Sequence, residues 1–519
     1  MKDKRTMNAR GLDINRLLTN LFAILTVAIF LSGCREFFDY VDKDKDQSYI
    51  LEVPEGFKVE KMIAGLTYPT SATWDEKGNM FVVEAGGTFL PEQMGPMRIM
   101  QVKNDGSKEE VIDLSKHGIK PAIVGLVWHD GWFYFTHRAE DATGAVSRVN
   151  KNGQVEQLFM GNIDSQAEHQ INDIQVGPDG MMYVSVGPAG NAGVIGPSVA
   201  PFVMRNPEVR TTPCQDIVLV GMNFRTPNFL TEAEGDSVKT GAYVPFGEET
   251  QPGQVIKGVT LCGGSILKFD PNNAMGTITT HAWGFRNLIG LTWDSSGQMF
   301  AAENGYDIRG SRSVNDDIDA TLRIEEGMWY GVPDFSAGRE PVTDPKFEVP
   351  DTLQAGVFMN GEFMGKDLGF VIDHEASGLT PPDPSVVIGR HEINSSPSML
   401  DVAPASWGDW EGHLFIAEWG DLAPPTNPLR ENRPSGFQIV CIDPATGQLM
   451  PFAKNIGGGP ASAQQGMKGK GLDRPFDVKF GPDGAMYIVD YGVVTIDMSQ
   501  APPYDPKENT GVIWKISKE

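Results

Sequence analysis

One phrase recurs six times along this 519-residue chain and limits its folds more than any other feature. The phrase opens on a polar residue or Pro, alternates apolar residues, turns at Gly, and continues as an apolar strand. It reads YPTSATWDEKGNMFVVEAGG from Tyr68, AIVGLVWHDGWFYFTHRAE from Ala122 and QINDIQVGPDGMMYVSVGP from Gln170. It returns as NLIGLTWDSSGQMFAAENG from Asn287, SPSMLDVAPASWGDWEGHLFIAEWGD from Ser396 and RPFDVKFGPDGAMYIVDYG from Arg474. Period-2 alternation around a tight Asp/Gly turn is the signature of an antiparallel hairpin. Short strands follow several copies: RIMQV (98–102), VSRVN (146–150), SILKFD (265–270), FQIVCID (437–443) and VIWKIS (512–517). Repeated units of three or four strands, with no helical stretches between them, predict an all-β chain, a six-bladed β-propeller over residues 51–519. Two β-sandwiches are the alternative, but they do not account for a common phrase running end to end. Copy starts lie 54, 48, 117, 109 and 78 residues apart, so the long gaps (189–262 and 306–395) are predicted loop insertions on one face. The early strand FKVEKMI (57–63) is placed to close the ring against VIWKIS.

A ring gathers equivalent repeat positions near one axis. Counting back from Gly78, Gly180, Gly297 and Gly484 puts Tyr68, Gln170, Asn287 and Arg474 at one level, with Thr67, His169, Arg286 and Asp473 one step before. His169, Arg286, Asn287 and Arg474 are therefore expected at a common mouth. Arginines offer planar forks suited to carboxylates. A histidine can accept a hydroxyl proton near neutral pH, and an asparagine can donate to an oxyanion. The ordinary role of a lone strand-start histidine is a structural hydrogen bond, and that of Arg474 a salt bridge. A second cluster, Glu303-Asn304-Gly305-Tyr306-Asp307 and Asn315-Asp316-Asp317-Ile318-Asp319, offers hard oxygens of the kind Ca²⁺ takes. Its spacing is not that of an EF-hand, and a solvated acidic loop is the plainer reading.

The N-terminus has a different character. Lys2, Lys4, Arg5, Arg10 and Arg16 precede an apolar run ending Leu31-Ser32-Gly33-Cys34, an export signal whose end resembles the bacterial lipobox. This predicts a signal peptide over 1–33, an acylated Cys34 with a tether over 34–50, and an extracytoplasmic globular part, lipid-anchored with the outer membrane preferred. The alternative is an uncleaved anchor. Removing residues 1–33 takes the formal charge from −25 to −28. Such acidity sets nucleic acid aside as a partner, because phosphates need clustered cations. Of the other cysteines, Cys214 and Cys262 can bridge in an oxidising compartment or, with Cys441, remain reduced. No Cys-x-x-Cys-His haem motif occurs.

The segment GFRNLIGLTWDSSGQMFAAENG (284–305), with NDDID (315–319) and MWYGVPD (328–334), resembles the glucose/sorbosone dehydrogenase family, six-bladed propellers that include soluble quinoproteins using pyrroloquinoline quinone (PQQ). EHQINDIQVGPDGMMYVSVG (168–187) is similar to that family's His-bearing blade, and RPFDVKFGPDG (474–484) to its last Arg block, closest to the sorbosone-type branch. The resemblance implies His169 as catalytic base, Arg286 and Asn287 at the quinone and reacting oxygens, and Arg474 on a quinone carboxylate. It implies Ca²⁺ held by Asp316, Asp317 and the carbonyls of Gly305 and Tyr306. The implied activity is oxidation of an aldose or aldehyde, with hydride passing to PQQ and electrons leaving through a separate acceptor. The chain departs from the family pattern at Phe476, where a second Arg is expected, and near Glu418, where a Lys is expected. Leu288 replaces a usual Pro, and extra residues precede Asn315. These departures keep open a non-catalytic carbohydrate- or protein-binding propeller that has lost the cofactor. A calcium-dependent lactonase-type hydrolase is a third class, against which the arginines at the mouth argue.

Overall fold

The computed structural model describes residues 49–87, 95–103, 105–163, 167, 169–430, 434–500 and 502–519. The signal, the acylated Cys34 and nearly all of the tether lie outside the described residues. The described chain is built from strands, with two short α-helices, Ala200–Arg205 and Ala274–Thr277.

Each recurring phrase forms the first two strands of an antiparallel sheet. Sheet one runs outward as Pro69–Trp74, Met80–Ala85, Met97–Val102 and Lys108–Asp113. Sheet two is Leu126–His129, Trp132–Arg138, Gly144–Asn150 and Val155–Ile163; sheet three is Ile171–Val176, Met182–Val186, Ser265–Phe269 and Thr279–Trp283. Sheet four is Asn287–Trp293, Met299–Asn304, Asp319–Ile324 and Val387–His391. Sheet five is Pro397–Val402, Leu414–Glu418, Gln438–Asp443 and Gln448–Asn455, edged by Leu51–Glu52. Sheet six is Pro475–Phe480, Met486–Asp490 and Gly511–Lys518, edged by the early strand Phe57–Leu66. The first strand of every sheet touches the first strand of the next, and that of sheet six touches that of sheet one. The six sheets thus close a ring, latched where Phe57–Leu66 pairs with Gly511–Lys518, Phe57 opposite Lys518 and Leu66 opposite Gly511.

Apolar side chains fill the wedges between sheets. Trp407, Phe415, Phe452 and Trp514 pack between sheets five and six, and Phe81, Ile99, Phe133 and Phe135 between one and two. Near the axis the ties are polar. Asp173 Oδ2 accepts from Leu291 N at 3.0 Å, joining sheets three and four, and Asp401 Oδ2 accepts from Phe480 N at 2.8 Å, joining five and six. Asp477 Oδ2 accepts from Ala72 N at 3.1 Å and Ser71 Oγ at 3.3 Å, tying sheet six to sheet one. A buried carboxylate here replaces ladder partners that inner strands of adjacent sheets cannot supply to each other.

The insertions are more than loops. Asn223–Pro227 and Ser237–Gly241 from the first insertion share a four-stranded sheet with Gly356–Met359 and Glu362–Gly365 from the second. Cys214 and Cys262 form a disulfide across the first insertion, and Cys441 is a buried free thiol.

Burial, with Asp173 and Asp401 adding repulsion, raises the Asp477 carboxyl to about 6 against the nearby Lys479 ammonium, which pulls the other way. The folded chain therefore holds a proton there that the unfolded chain releases near pH 4. The associated stability is full below pH 4 and lost as pH rises through 6, on the order of 3 kcal/mol. Asp477→Asn is expected to flatten that part of the profile, measured as denaturation midpoints from pH 3.5 to 7.

Candidate active site

The mouth of the ring is built from two positions per sheet. One is the entry to the inner strand, and the other is the residue at or just past the end of the second strand. Backbone bonds tie them together: Ala85 N to Tyr68 O at 2.9 Å, Gly187 N to Gln170 O at 2.9 Å, Trp419 N to Ser396 O at 2.9 Å and Tyr491 N to Arg474 O at 2.8 Å. Asn287 lies opposite Asn304 in the sheet-four ladder. The counted level is thus a physical layer.

A buried acid underpins it in several sheets. Glu84 Oε1 accepts from Thr67 N at 2.7 Å, Glu303 Oε1 from Arg286 N at 2.7 Å, and Asp490 Oδ1 from Arg474 N at 2.8 Å. Each satisfies an amide where the chain enters the inner strand. Sheet five places Glu418 at the matching strand end, bonded to His391 Nδ1 at 2.7 Å and Gln438 Nε2 at 2.8 Å. Glu418 therefore ties its own sheet to His391 of sheet four and stands with the other acids of the repeat. The signal was present in the sequence, since VVEAGG, AAENG, IAEWG and IVDYG all carry it.

His169 and Asn287 meet at the mouth. A side chain on Gly187 would collide with His169 Cβ at 2.6 Å and touch Asn287 Oδ1 at 3.3 Å, so only glycine fits between them. Asn172 Nδ2 donates to Asn287 Oδ1 at 3.2 Å and to Leu288 O at 2.8 Å, holding the two inner strands together. His169 is buried, and Asn287 is half-buried.

Arg286 lies beside them, 3% exposed. Its Nη2 donates to Asp307 Oδ2 at 2.5 Å and Asn191 Oδ1 at 2.9 Å, and its Nη1 to Asn304 O at 3.2 Å. The sequence offers Asn304 and Asp307 only as members of the acidic loop and gives no sign of Asn191, because both insertions must fold before the three meet at Arg286.

Arg474 sits on sheet six, across the ring, and differs from the expectation of an open carboxylate-binding fork. Its Nη1 donates to Gly420 O and Asp421 O, both at 2.8 Å, and to Trp419 O at 3.4 Å. Its guanidinium stacks on Trp419 and Phe437, 4.3 and 4.7 Å from the ring centroids. Burial lowers its pKa to about 10 despite nearby acids. The carbonyls of the 419–421 turn claim this cation.

The expected carboxylate pair of a calcium site is also divided. Asp316 is exposed, whereas Asp317 is buried and accepts from Tyr306 N at 2.8 Å and Ala337 N at 3.1 Å. Gly305 N donates to Asp319 Oδ1 at 2.7 Å, and the Tyr306 hydroxyl to Phe335 O at 3.0 Å. These carboxylates fold the loop onto itself, and among the described residues no group of three His, Cys, Asp or Glu is arranged to hold a metal.

The mouth has unlike walls. Tyr68, Tyr491, Ile289 and Met399 form an apolar floor on which half-buried Trp419 and Phe476 pack. Facing it are polar groups of sheets three and four. Four buried polar atoms here lack any hydrogen-bond partner: Gln170 Oε1, Arg286 Nε, Asn304 Oδ1 and, from the aromatic side, Trp419 Nε1.

No protein-family model matches the chain, and no curated protein matches it either. Among solved structures, the calcium form of a Trichoderma reesei carbohydrate-active enzyme shares 15% identity with it at a TM-score of 0.52, covering 92% of this chain and 99% of that one. The PQQ-bound aldose sugar dehydrogenase of Streptomyces coelicolor has 16% identity and a TM-score of 0.47, covering 90% and 99%. The PQQ domain of a Coprinopsis cinerea pyranose dehydrogenase has 14% identity and a TM-score of 0.49, covering 90% and 97%. At these identities the likeness is one of fold.

Arg474→Ala is expected to cost about 2–4 kcal/mol, because it strands buried carbonyls and removes the stack on two rings. The check is a lowered denaturation midpoint together with a change in tryptophan emission from the loosened Trp419.

Proposed function

We propose that this chain oxidises a neutral sugar or a related aldehyde at the mouth of a six-bladed propeller, with PQQ as the electron-accepting group. The observation that carries the reading is that Gln170, Arg286, Asn304 and Trp419, at the mouth layer of sheets three to five, each hold a buried polar atom without a partner. Such atoms are rare in folded proteins, and a bound polar ligand explains several of them at once.

The residues fit a planar, oxygen-rich group. Arg286 Nε–H and Trp419 Nε1–H are open donors, Gln170 Oε1 and Asn304 Oδ1 are open acceptors, and Trp419 and Phe476 offer apolar faces. When bound, PQQ would supply the hydride acceptor. His169 would take the proton of the substrate hydroxyl. Asn287, held by Asn172, would orient the reacting oxygen, and Arg286 would direct its Nε–H at oxygen that gains negative charge. The aromatic wall would shield the site from water. The Asp316 and Asp317 carboxylates do not converge on a calcium ion, so no step is assigned to one; the carbonyls of Gly305 and Tyr306 are the remaining candidate ligands.

The reading also places the chain at the sorbosone-type edge of its family. It is anchored to the cell envelope through an acylated Cys34, with residues 34–50 as tether, and it passes electrons to a separate acceptor. A second reading, a carbohydrate-binding ring without cofactor, is favoured by one observation: Phe476 faces the mouth where a cation would hold a quinone carboxylate, and Arg474 is already engaged.

The purified chain should bind PQQ, quench tryptophan emission, and reduce a dye over a panel of aldoses and aldehydes. His169→Ala should lower turnover by at least about a thousandfold while PQQ affinity stays within a few-fold. Absence of PQQ binding by the unaltered chain would sink the enzyme reading and leave the binding one.

A further inference from the structure

The Asp307 carboxylate already occupies Arg286 at the mouth. Its Oδ2 takes Arg286 Nη2 at 2.5 Å and Arg309 Nε at 2.8 Å, and its Oδ1 takes Asn394 Nδ2 at 2.9 Å. Asn191 locks the arrangement from the other side. Its Oδ1 accepts from Asp307 N at 3.0 Å as well as from Arg286, and its Nδ2 donates to the carbonyls of Asp307 at 2.8 Å and Arg309 at 3.1 Å. Asn394 is in turn braced by Asn427 Nδ2 at 3.2 Å. Asp307 is 6% exposed and belongs to the stretch that separates the Glu303-Asn304-Gly305 turn from the Asn315–Asp319 loop.

A guanidinium recognises a carboxylate through two adjacent N–H groups on one edge. In Arg286 both terminal nitrogens are taken, Nη2 by Asp307 and Asn191, Nη1 by the Asn304 carbonyl. Nε alone is open. N–H groups left on separate edges match single carbonyl or hydroxyl oxygens but cannot grip a carboxylate in the two-pronged way. A ligand carboxylate brought to this edge would also meet the Asp307 charge in a poorly solvated site, where like charges repel strongly.

We propose that Asp307 is the specificity-determining residue of the mouth: an internal carboxylate that fills the Arg286 fork, so the site takes a neutral polyhydroxylated ligand and rejects its carboxylate counterpart. This rests on the reading of the mouth as a sugar site and adds a statement about charge. Asp307 acts through Arg286 and is a positioning residue in the reaction.

The test is calorimetric titration of the full chain, with and without PQQ, using D-glucose and D-glucuronate as probes. The unaltered chain is expected to bind glucose at least about tenfold more tightly than glucuronate. Asp307→Asn, of the same shape without the charge, should shrink that ratio at least about tenfold and make glucuronate binding more sensitive to salt. Asp307→Glu should keep the ratio within about twofold. A ratio unchanged in a folded Asp307→Asn overturns the proposal while leaving the sugar site standing. Equal binding of the two sugars by the unaltered chain overturns it without any variant. If neither sugar binds any of the proteins, the reading of the mouth as a sugar site falls, and this proposal with it.

Discussion

Pairing of Phe57–Leu66 with the last strand, Gly511–Lys518, is the contact on which the rest of the structure depends. The two segments lie more than 440 residues apart in sequence, and their ladder joins the chain's early part to its end. Without it, sheet six would lose its outer strand, and nothing would tie the chain's early part to its end. With it, the inner-strand entries have nowhere to go but around one axis. Asp477 makes the same closure nearer the centre by bonding across to Ser71 and Ala72. The mouth exists because the ring is shut at both radii.

Given that closure, the acids at the second-strand ends decide what the mouth can present. Glu84, Glu303 and Asp490 are buried and bonded to backbone amides, so they hold each entry turn without reaching into the cavity. Burial raises the Glu303 carboxyl, and the Arg339 guanidinium bonded to Oε2 opposes that rise. The residue one step further on is released to the mouth: Asn304 in sheet four, Trp419 in sheet five, Tyr491 in sheet six. Rigid acids below and varied side chains above allow one scaffold to support different chemistries.

Much of this layer was legible because it depends on local pattern. Gly78, Gly180, Gly297 and Gly484 mark the hairpin turns, and counting back from them finds the residues that share the mouth. What stayed hidden depends on partners far away in sequence. Arg474 meets carbonyls of residues 419–421, and Arg286 meets Asn191, so neither cation's commitment can be read from its own strand. The shared sheet of the insertions pairs Asn223–Arg225 with Gly356–Phe358, and no periodicity announces a strand partner so remote. The Cys214–Cys262 bridge was one of two open readings, since redox state and proximity are not properties of spacing alone. Glu418 stands where the family resemblance expects a lysine, yet its place in the ring is that of Glu84, Glu303 and Asp490.

The unpartnered atoms at the mouth set a relation between stability and function. A buried donor or acceptor without a partner costs about 1–3 kcal/mol. Gln170, Arg286, Asn304 and Trp419 each carry such an atom at the mouth. The axis below them is packed with Ile289, Met399, Tyr68 and Tyr491, and the sheets are tied by buried carboxylates. A closed, heavily tied ring can tolerate local dissatisfaction that a looser fold would relax away by turning side chains toward one another. The same ties stop Arg286 and Trp419 from relieving themselves, so a ligand that supplies the missing partners gains their interaction with little reorganisation. Rigidity and incompleteness at the mouth are therefore one property of the ring, and the need for a ligand that both donates and accepts hydrogen bonds follows from which atoms were left open.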